Sequence, residues 1–216
     1  MSIQNIPNSK IKSLFIQYQK GISNLEKRAV MDGAKEMIDL ANAKPIRIVN
    51  LGENLDYIQG GQNTSKNNFQ LNANTMINKL SFESQKDIAK YNKSHYNLIV
   101  LNSDIYSGNN DFILGLAMGG IGTILSTYRF QKFYEKGKYE CIKTETMHEL
   151  GHVFGLIADS RKDNIEMNLG KHCTNKCIMR QGITLPDDWI EISKDRLKYG
   201  AFCPECSRDL KKYFEK

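Results

Sequence analysis

The pentapeptide His148-Glu149-Leu150-Gly151-His152 constrains this chain more than any other feature. Two imidazoles four residues apart share one face of a helix, with Cβ atoms roughly 5–6 Å apart. That separation suits two neighbouring vertices of a zinc tetrahedron, with Zn–N bonds of about 2.0–2.1 Å. Glu149 sits beside the first histidine, where it reaches a metal-activated water rather than the metal and can take the water's proton. The flanks read as helix, since Ile142, Met147, Leu150, Val153 and Phe154 fall at helical spacings. Gly155, three residues after His152, is placed to end that helix and turn the chain back. A motif this short also arises by chance on amphipathic helices, so its neighbours decide its meaning.

A catalytic zinc usually has three protein ligands and one open position, so a later segment must return to the helix. His172 is the remaining downstream histidine, separated from Gly155 by sixteen residues. A loop of that length closes at small entropic cost, because closure entropy grows only logarithmically. Asp159 and Asp163 are alternative ligands, since carboxylates also bind zinc. His172 is favoured by its company. Cys173 and Cys177 form a C-x3-C half and Cys203 and Cys206 a C-x2-C half, the pattern of a structural zinc held by four thiolates. Adjacent His172 and Cys173 can then serve two metals on opposite sides of the chain. Met179, two residues past Cys177, fits beneath the catalytic metal as a methionine turn, or fills core as methionines commonly do.

Composition bounds the alternatives. The chain has 216 residues, 40% of them hydrophobic and 25% charged, enough for a substantial core and too apolar for general disorder. The formal charge of +6 is spread among acidic residues such as Asp195, Asp209 and Glu215. A nucleic-acid site concentrates charge on one face, so a nucleic-acid partner is disfavoured. The first residues carry neither a basic region nor an apolar core, and no apolar run approaches the roughly 18–20 residues of a spanning helix. A cytoplasmic protein with no membrane contact is the expectation. In that compartment clustered cysteines hold metal more often than disulfides. Cys141, without a partner in sequence, reads as an inert buried thiol, and His95 as a surface or capping histidine.

Along the chain, Lys10–Ala41 reads as a helix with a break near Gly21, and Pro45–Gly52 as a strand. Residues 60–68 read as a polar loop or hairpin tip. Asn72–Tyr91 reads as a second helix, Tyr96–Asn102 as a buried strand, and Ser103–Asn110 as a polar connection. Phe112–Ala117 and Thr123–Tyr128 read as two more strands before the metal-binding helix. Trp189 is expected to anchor a further helix against the core. This order fits an α/β or α+β fold, with a mixed, twisted sheet packed on that helix. After Gly155 the chain is expected to be irregular and held by metal. The expectation is a single domain over residues 1–216, with an N-terminal sheet-and-helix portion (residues 1–155) and a zinc-bearing C-terminal portion (residues 156–216).

Taken together, His148-Glu-Leu-Gly-His152, Gly155, His172-Cys173, Cys177-Ile-Met179 and Cys203-Pro-Glu-Cys206 resemble the archaemetzincins, a branch of the metzincin metallopeptidases. Phe112-Ile-Leu-Gly-Leu-Ala117 and Ser126-Thr-Tyr-Arg129 also resemble the family's strands before the active-site helix. The resemblance covers roughly residues 45–206. It implies a metzincin-like fold and two zinc ions per chain. The catalytic ion would be held by His148, His152 and His172, with Glu149 as general base and Met179 as the methionine turn. The structural ion would be held by Cys173, Cys177, Cys203 and Cys206. The chain departs from the family pattern in placing sixteen residues between Gly155 and His172 where two are usual, a surplus of fourteen. Its first cysteine pair encloses three residues where four are usual, and the stretch from Met179 to Cys203 is longer than the family norm.

The expected function is hydrolysis of peptide bonds in a peptide or protein substrate, whether as an amino- or an endopeptidase. The rival readings are a catalytically idle metzincin-like pseudo-enzyme and a zinc-ribbon module that binds nucleic acid or protein. The inserted segment 156–171 reads equally as a lid, a cover for the cleft or a surface excursion.

Overall fold

The computed structural model describes residues 11–43, 46–53, 70–91 and 94–215. The polar segment 60–68 lies outside them. In chain order the elements are β1 (Ile11–Tyr18), α1 (Asn24–Leu40), β2 (Arg47–Asn50), β3 (Gln70–Asn72), α2 (Ala73–Tyr91) and β4 (Ser94–Leu101). Next come β5 (Asp104–Ser107), β6 (Asn110–Ile113), β7 (Gly115–Met118), β8 (Gly122–Ser126) and a 3₁₀ turn at Tyr128–Lys132. The chain continues with α3 (Glu135–Val153), β9 (Ile165–Met167), β10 (Lys171–Cys173), α4 (Asp187–Tyr199) and α5 (Pro204–Phe214).

The first helix expected from sequence is in fact a strand followed by a helix. Leu14, Ile16 and Tyr18 are fully buried and alternate with less buried Ser13, Phe15 and Gln17, which is the period of a strand. Gly21 sits in the turn that separates this strand from α1. Ser23 then caps α1 in a reciprocal box with Glu26, which fixes where the helix starts.

The main sheet has the order β2-β1-β4-β8-β7, with β7 alone antiparallel to its neighbour and at one edge. Central β4 is apolar on both faces. Tyr96, Leu98 and Val100 belong to the core shared with α1 and α3, and Ile99 and Leu101 to the core built by Met76, Ile77 and Leu80 of α2. A three-layer α/β arrangement results, as the sequence predicts for fold class. A smaller sheet, β3-β5-β6, lies outside it, so the span expected as a polar connection carries strand β5. Two other expected strands end differently: Phe112–Ala117 is interrupted at Leu114, and the last strand stops at Ser126.

The segment after Gly155 is more regular than expected. Residues 165–173 form the antiparallel hairpin β9–β10, and two helices follow. Helix starts are written locally, by Asp187 and Asp188 in the first turn of α4 and by Pro204 at the start of α5. The buried guanidinium of Arg196 on α4 donates to Thr144 Oγ1 at 3.0 Å and pairs with Glu36 of α1 and Glu140 of α3. That network ties three helices together around the centre of α3. Trp189 of α4 packs on Phe130 and on His148, with ring centroids 6.4 and 5.6 Å apart, anchoring the helix as anticipated. Among the described residues, no helix is long and apolar enough to cross a membrane.

Candidate metal centre

Two elements bring the histidines together. α3 presents His148 and His152 from one face, one turn apart, and β10 presents His172. α3 ends as its sequence dictates. Gly155 adopts φ +74°, the left-handed conformation a helix stop needs, and an added Cβ there would also meet the Tyr213 ring at 2.7 Å. The chain turns so that the Leu156 carbonyl lies 2.8 Å from His152 Nδ1. The surplus residues do not displace His172, because the hairpin folds back with His172 opposite Glu166. Asp159 and Asp163 stay out of the cluster.

The hydrogen bonds define each imidazole's tautomer. His148 Nδ1 donates to the Ile178 carbonyl at 2.7 Å, His152 Nδ1 to Leu156, and His172 Nδ1 to the Asn168 carbonyl at 3.1 Å. With Nδ1–H committed to backbone, each Nε2 keeps an unprotonated lone pair. Those lone pairs converge: His148 and His152 Nε2 are 3.1 Å apart, and all three histidine donor atoms lie within 4.8 Å of one another. Three neutral acceptors facing one another repel unless a cation lies between them. A tetrahedral zinc with bonds near 2.05 Å would set its nitrogens roughly 3.3 Å apart, so the donor set fits that ion. Burial pushes His152 down to about 4 and holds His148 well below the usual imidazole range, which keeps the rings neutral as metal binding requires.

Glu149 projects beside the cluster and is 5% exposed. Burial pushes its carboxyl up to about 8, and hydrogen bonds from Thr123 and Glu145 pull it partly back. The Thr123 hydroxyl donates to Glu149 Oε2 at 3.0 Å. Gly115 of β7 lies so close that an added Cβ would fall onto the Glu149 carboxyl. Glu145, one turn earlier, is held well above the usual carboxylate range by burial and by the adjacent Glu149. Burial of two adjacent carboxyls disfavours ionising both. Sequence reasoning missed Glu145, Thr123 and Gly115. The i, i+4 spacing of Glu145 and Glu149 was available, whereas nothing local marks Thr123.

Met179 is fully buried against the helix between the two histidines. A Cβ on Gly151 would stand 2.5 Å from its Sδ, so helix backbone and thioether are in direct contact. The cleft in front of these residues has a volume of about 640 Å³. Its walls include Leu116 of β7, Leu169 and Gly170 of the hairpin tip, and Gln181, Ile183 and Trp189. The inserted segment thus forms part of one wall.

The four clustered cysteines also meet. Cys173, Cys177, Cys203 and Cys206 are buried, and their sulfurs lie within 4.8 Å of one another, with Cys173 and Cys203 Sγ 3.7 Å apart. Tetrahedral Zn–S bonds of about 2.3 Å would put sulfurs roughly 3.8 Å apart. All five cysteines are free thiols. Cys141 stands apart from the cluster, buried, with Sγ 3.5 Å from the Trp189 carbonyl. His95 packs on Phe15 and belongs to neither group of potential metal ligands among the described residues.

The architecture defines the class first: a metzincin-like α/β fold. The chain superposes on the crystal structure of archaemetzincin from Methanopyrus kandleri with a TM-score of 0.68 at 18% identity, covering 98% of this chain and 99% of that one. It superposes on the zinc-dependent peptidase from Methanocorpusculum labreanum with a TM-score of 0.63 at 20% identity, covering 91% and 99%. Sequence then narrows the class. The chain is 35% identical over 111 residues to the archaemetzincin of Nanoarchaeum equitans (strain Kin4-M), covering 51% of this chain and 49% of that relative. The chain is archaemetzincin-like, in sequence over about half its length and in fold over nearly all of it. It spans about half the length of the curated relatives it matches. No family model matches it.

Proposed function

We propose that this chain is a zinc metallopeptidase that hydrolyses peptide bonds in a peptide or protein substrate. The observation that carries the reading is the convergence of three neutral imidazole Nε2 lone pairs beside a buried glutamate. The name zinc-dependent peptidase borne by the M. labreanum protein of the same fold supports it. His148, His152 and His172 would hold the catalytic ion, and Cys173, Cys177, Cys203 and Cys206 a structural one, giving two zinc ions per chain. When bound, zinc supplies Lewis acidity that polarises a carbonyl and brings the pKa of water toward ~7.

The chain's own residues do the rest. Glu149 accepts the proton of the attacking water at a carboxylate oxygen and returns it to the leaving amine. Thr123 and Gly115 fix that carboxylate, one by a hydrogen bond and the other by leaving room for it. Met179 packs beneath the histidines and keeps their helix in place. Among the described residues β7 is an edge strand of the main sheet, and its Gly115, Leu116 and Ala117 line the cleft, where an extended peptide could pair with it. The core around Leu14 and Val30 also contains Ile178, Trp189 and Leu210, which supports a single catalytic domain over both portions of the chain. Five free thiols suit a cytoplasmic setting.

Zinc stoichiometry and turnover test the reading together. Elemental analysis is expected to give two zinc ions per chain, and the loaded protein to cut members of a peptide library. A chelator should stop the cleavage and added zinc should restore it. Protein carrying both ions that leaves the whole library intact would overturn the proposal. Thr123→Val removes a hydrogen bond to a charged group, worth about 1.5–3 kcal/mol. It should lower kcat by about tenfold or more while KM and zinc content hold, as steady-state kinetics would reveal.

A further inference from the structure

Arg161 lies within the inserted segment, yet its side chain is only 7% exposed. Its Nη1 donates to Cys206 Sγ at 3.1 Å and its Nη2 to Cys173 Sγ at 3.2 Å. One guanidinium therefore bridges one sulfur from each half of the four-cysteine cluster. Its orientation is set by backbone: Nε donates to the Asp163 carbonyl at 2.9 Å and Nη2 to the Asn164 carbonyl at 3.1 Å. Asp209 of α5 stands 3.7 Å from Nη1. The Asn164 carbonyl also accepts from the Thr174 amide at 3.1 Å, which joins the inserted segment to the strand end that carries Cys173. Cys173 and Cys206 are the two fully buried residues of the four, whereas Cys203 is 7% exposed.

Resting on the reading of these cysteines as a zinc site, we propose that Arg161 is a positioning residue that clamps the cluster, shielding Cys173 and Cys206 from electrophiles and slowing zinc release. Four thiolates around one dication carry a net negative charge, so a fixed guanidinium both offsets charge and occupies sulfur lone pairs. A sulfur that accepts a charge-assisted hydrogen bond is a weaker nucleophile, and one covered by a guanidinium is harder to approach. The planar fork matters as well as the charge, because it reaches two sulfurs at once. A surplus loop thereby does structural service at the metal cluster while its far end lines the cleft.

The test uses the zinc-loaded full chain with N-ethylmaleimide as the electrophile. Alkylated positions are read by mass spectrometry, and zinc release is followed with a chromogenic chelator. In the wild type, Cys203 should label first. In Arg161→Gln, Cys173 and Cys206 should label about tenfold faster than in wild type and zinc should leave faster, the scale expected for losing charge-assisted hydrogen bonds. Arg161→Lys keeps the charge without the fork and should fall between the two; it also serves if the Gln variant does not fold. Unchanged labelling of Cys173 and Cys206 would overturn the proposal. So would equal acceleration at all four sulfurs with a lowered Tm, which marks general loosening. Wild-type protein that binds no zinc at the thiols fails differently, overturning the zinc reading and the clamp with it.

Discussion

Glu149→Gln should lower kcat/KM for peptide hydrolysis by about 10²–10⁴, the usual contribution of a positioned general base, while zinc remains at two ions per chain. The substitution is nearly isosteric, and the side-chain oxygen can still accept from the Thr123 hydroxyl. The histidines keep their carbonyl partners at Ile178, Leu156 and Asn168, so nothing that orients the donor atoms is touched. What disappears is the proton acceptor. Steady-state kinetics on a cleaved library peptide, with elemental analysis of the same sample, separates the outcomes. Full activity would remove Glu149 from the mechanism, and lost zinc would make it a ligand.

Cys203→Ser should lower the zinc content from two ions to about one and Tm by about 10 °C. The cost of leaving buried charges without a partner is about 3–5 kcal/mol, and 1 kcal/mol moves Tm by about 2–4 °C in a chain of this size. The position makes serine an informative choice. Cys203 is the N-cap of α5 and makes no side-chain cap hydrogen bond, whereas serine is among the preferred caps. Helix capping would therefore favour the variant, and any loss belongs to the metal cluster. Calorimetry giving an unchanged Tm with two zinc ions would refute a structural role for the thiolates. The histidine centre should respond later, through loss of folded protein rather than altered chemistry.

The residues that could hold metal are legible in the sequence because ligand spacing is a local property. His148, Glu149 and His152 are fixed by one helical turn, and the two cysteine halves by short loops. The remote partner His172 is legible only through its neighbours. Its return depends on the pairing of β9 with β10, three residues on each strand, too short to announce itself. The opening strand passes for helix because Leu14, Ile22 and Leu25 can be threaded on a helical template. The buried alternation of Leu14, Ile16 and Tyr18 becomes visible only when β4 supplies the pairing partner. Thr123 and Gly115 are illegible for the same reason. They meet Glu149 because β7 and β8 pass beside α3, a tertiary fact. Helix α5 is obscured in sequence because Cys203 and Cys206, spaced as metal ligands, occupy the very turn that Pro204 starts.

His172 is held from both sides, by the β9–β10 pairing that sets it opposite Glu166 and by its C-terminal neighbours. Cys173, its immediate successor, donates its amide to the Met179 carbonyl at 2.8 Å and carries its sulfur into the cysteine cluster. The third imidazole is thus anchored by its hairpin and by the segment downstream, and the looser length requirement falls on the stretch between Gly155 and Arg161. Residues gained there leave the β9–β10 pairing and the Arg161 bonds to Cys173 and Cys206 as they are.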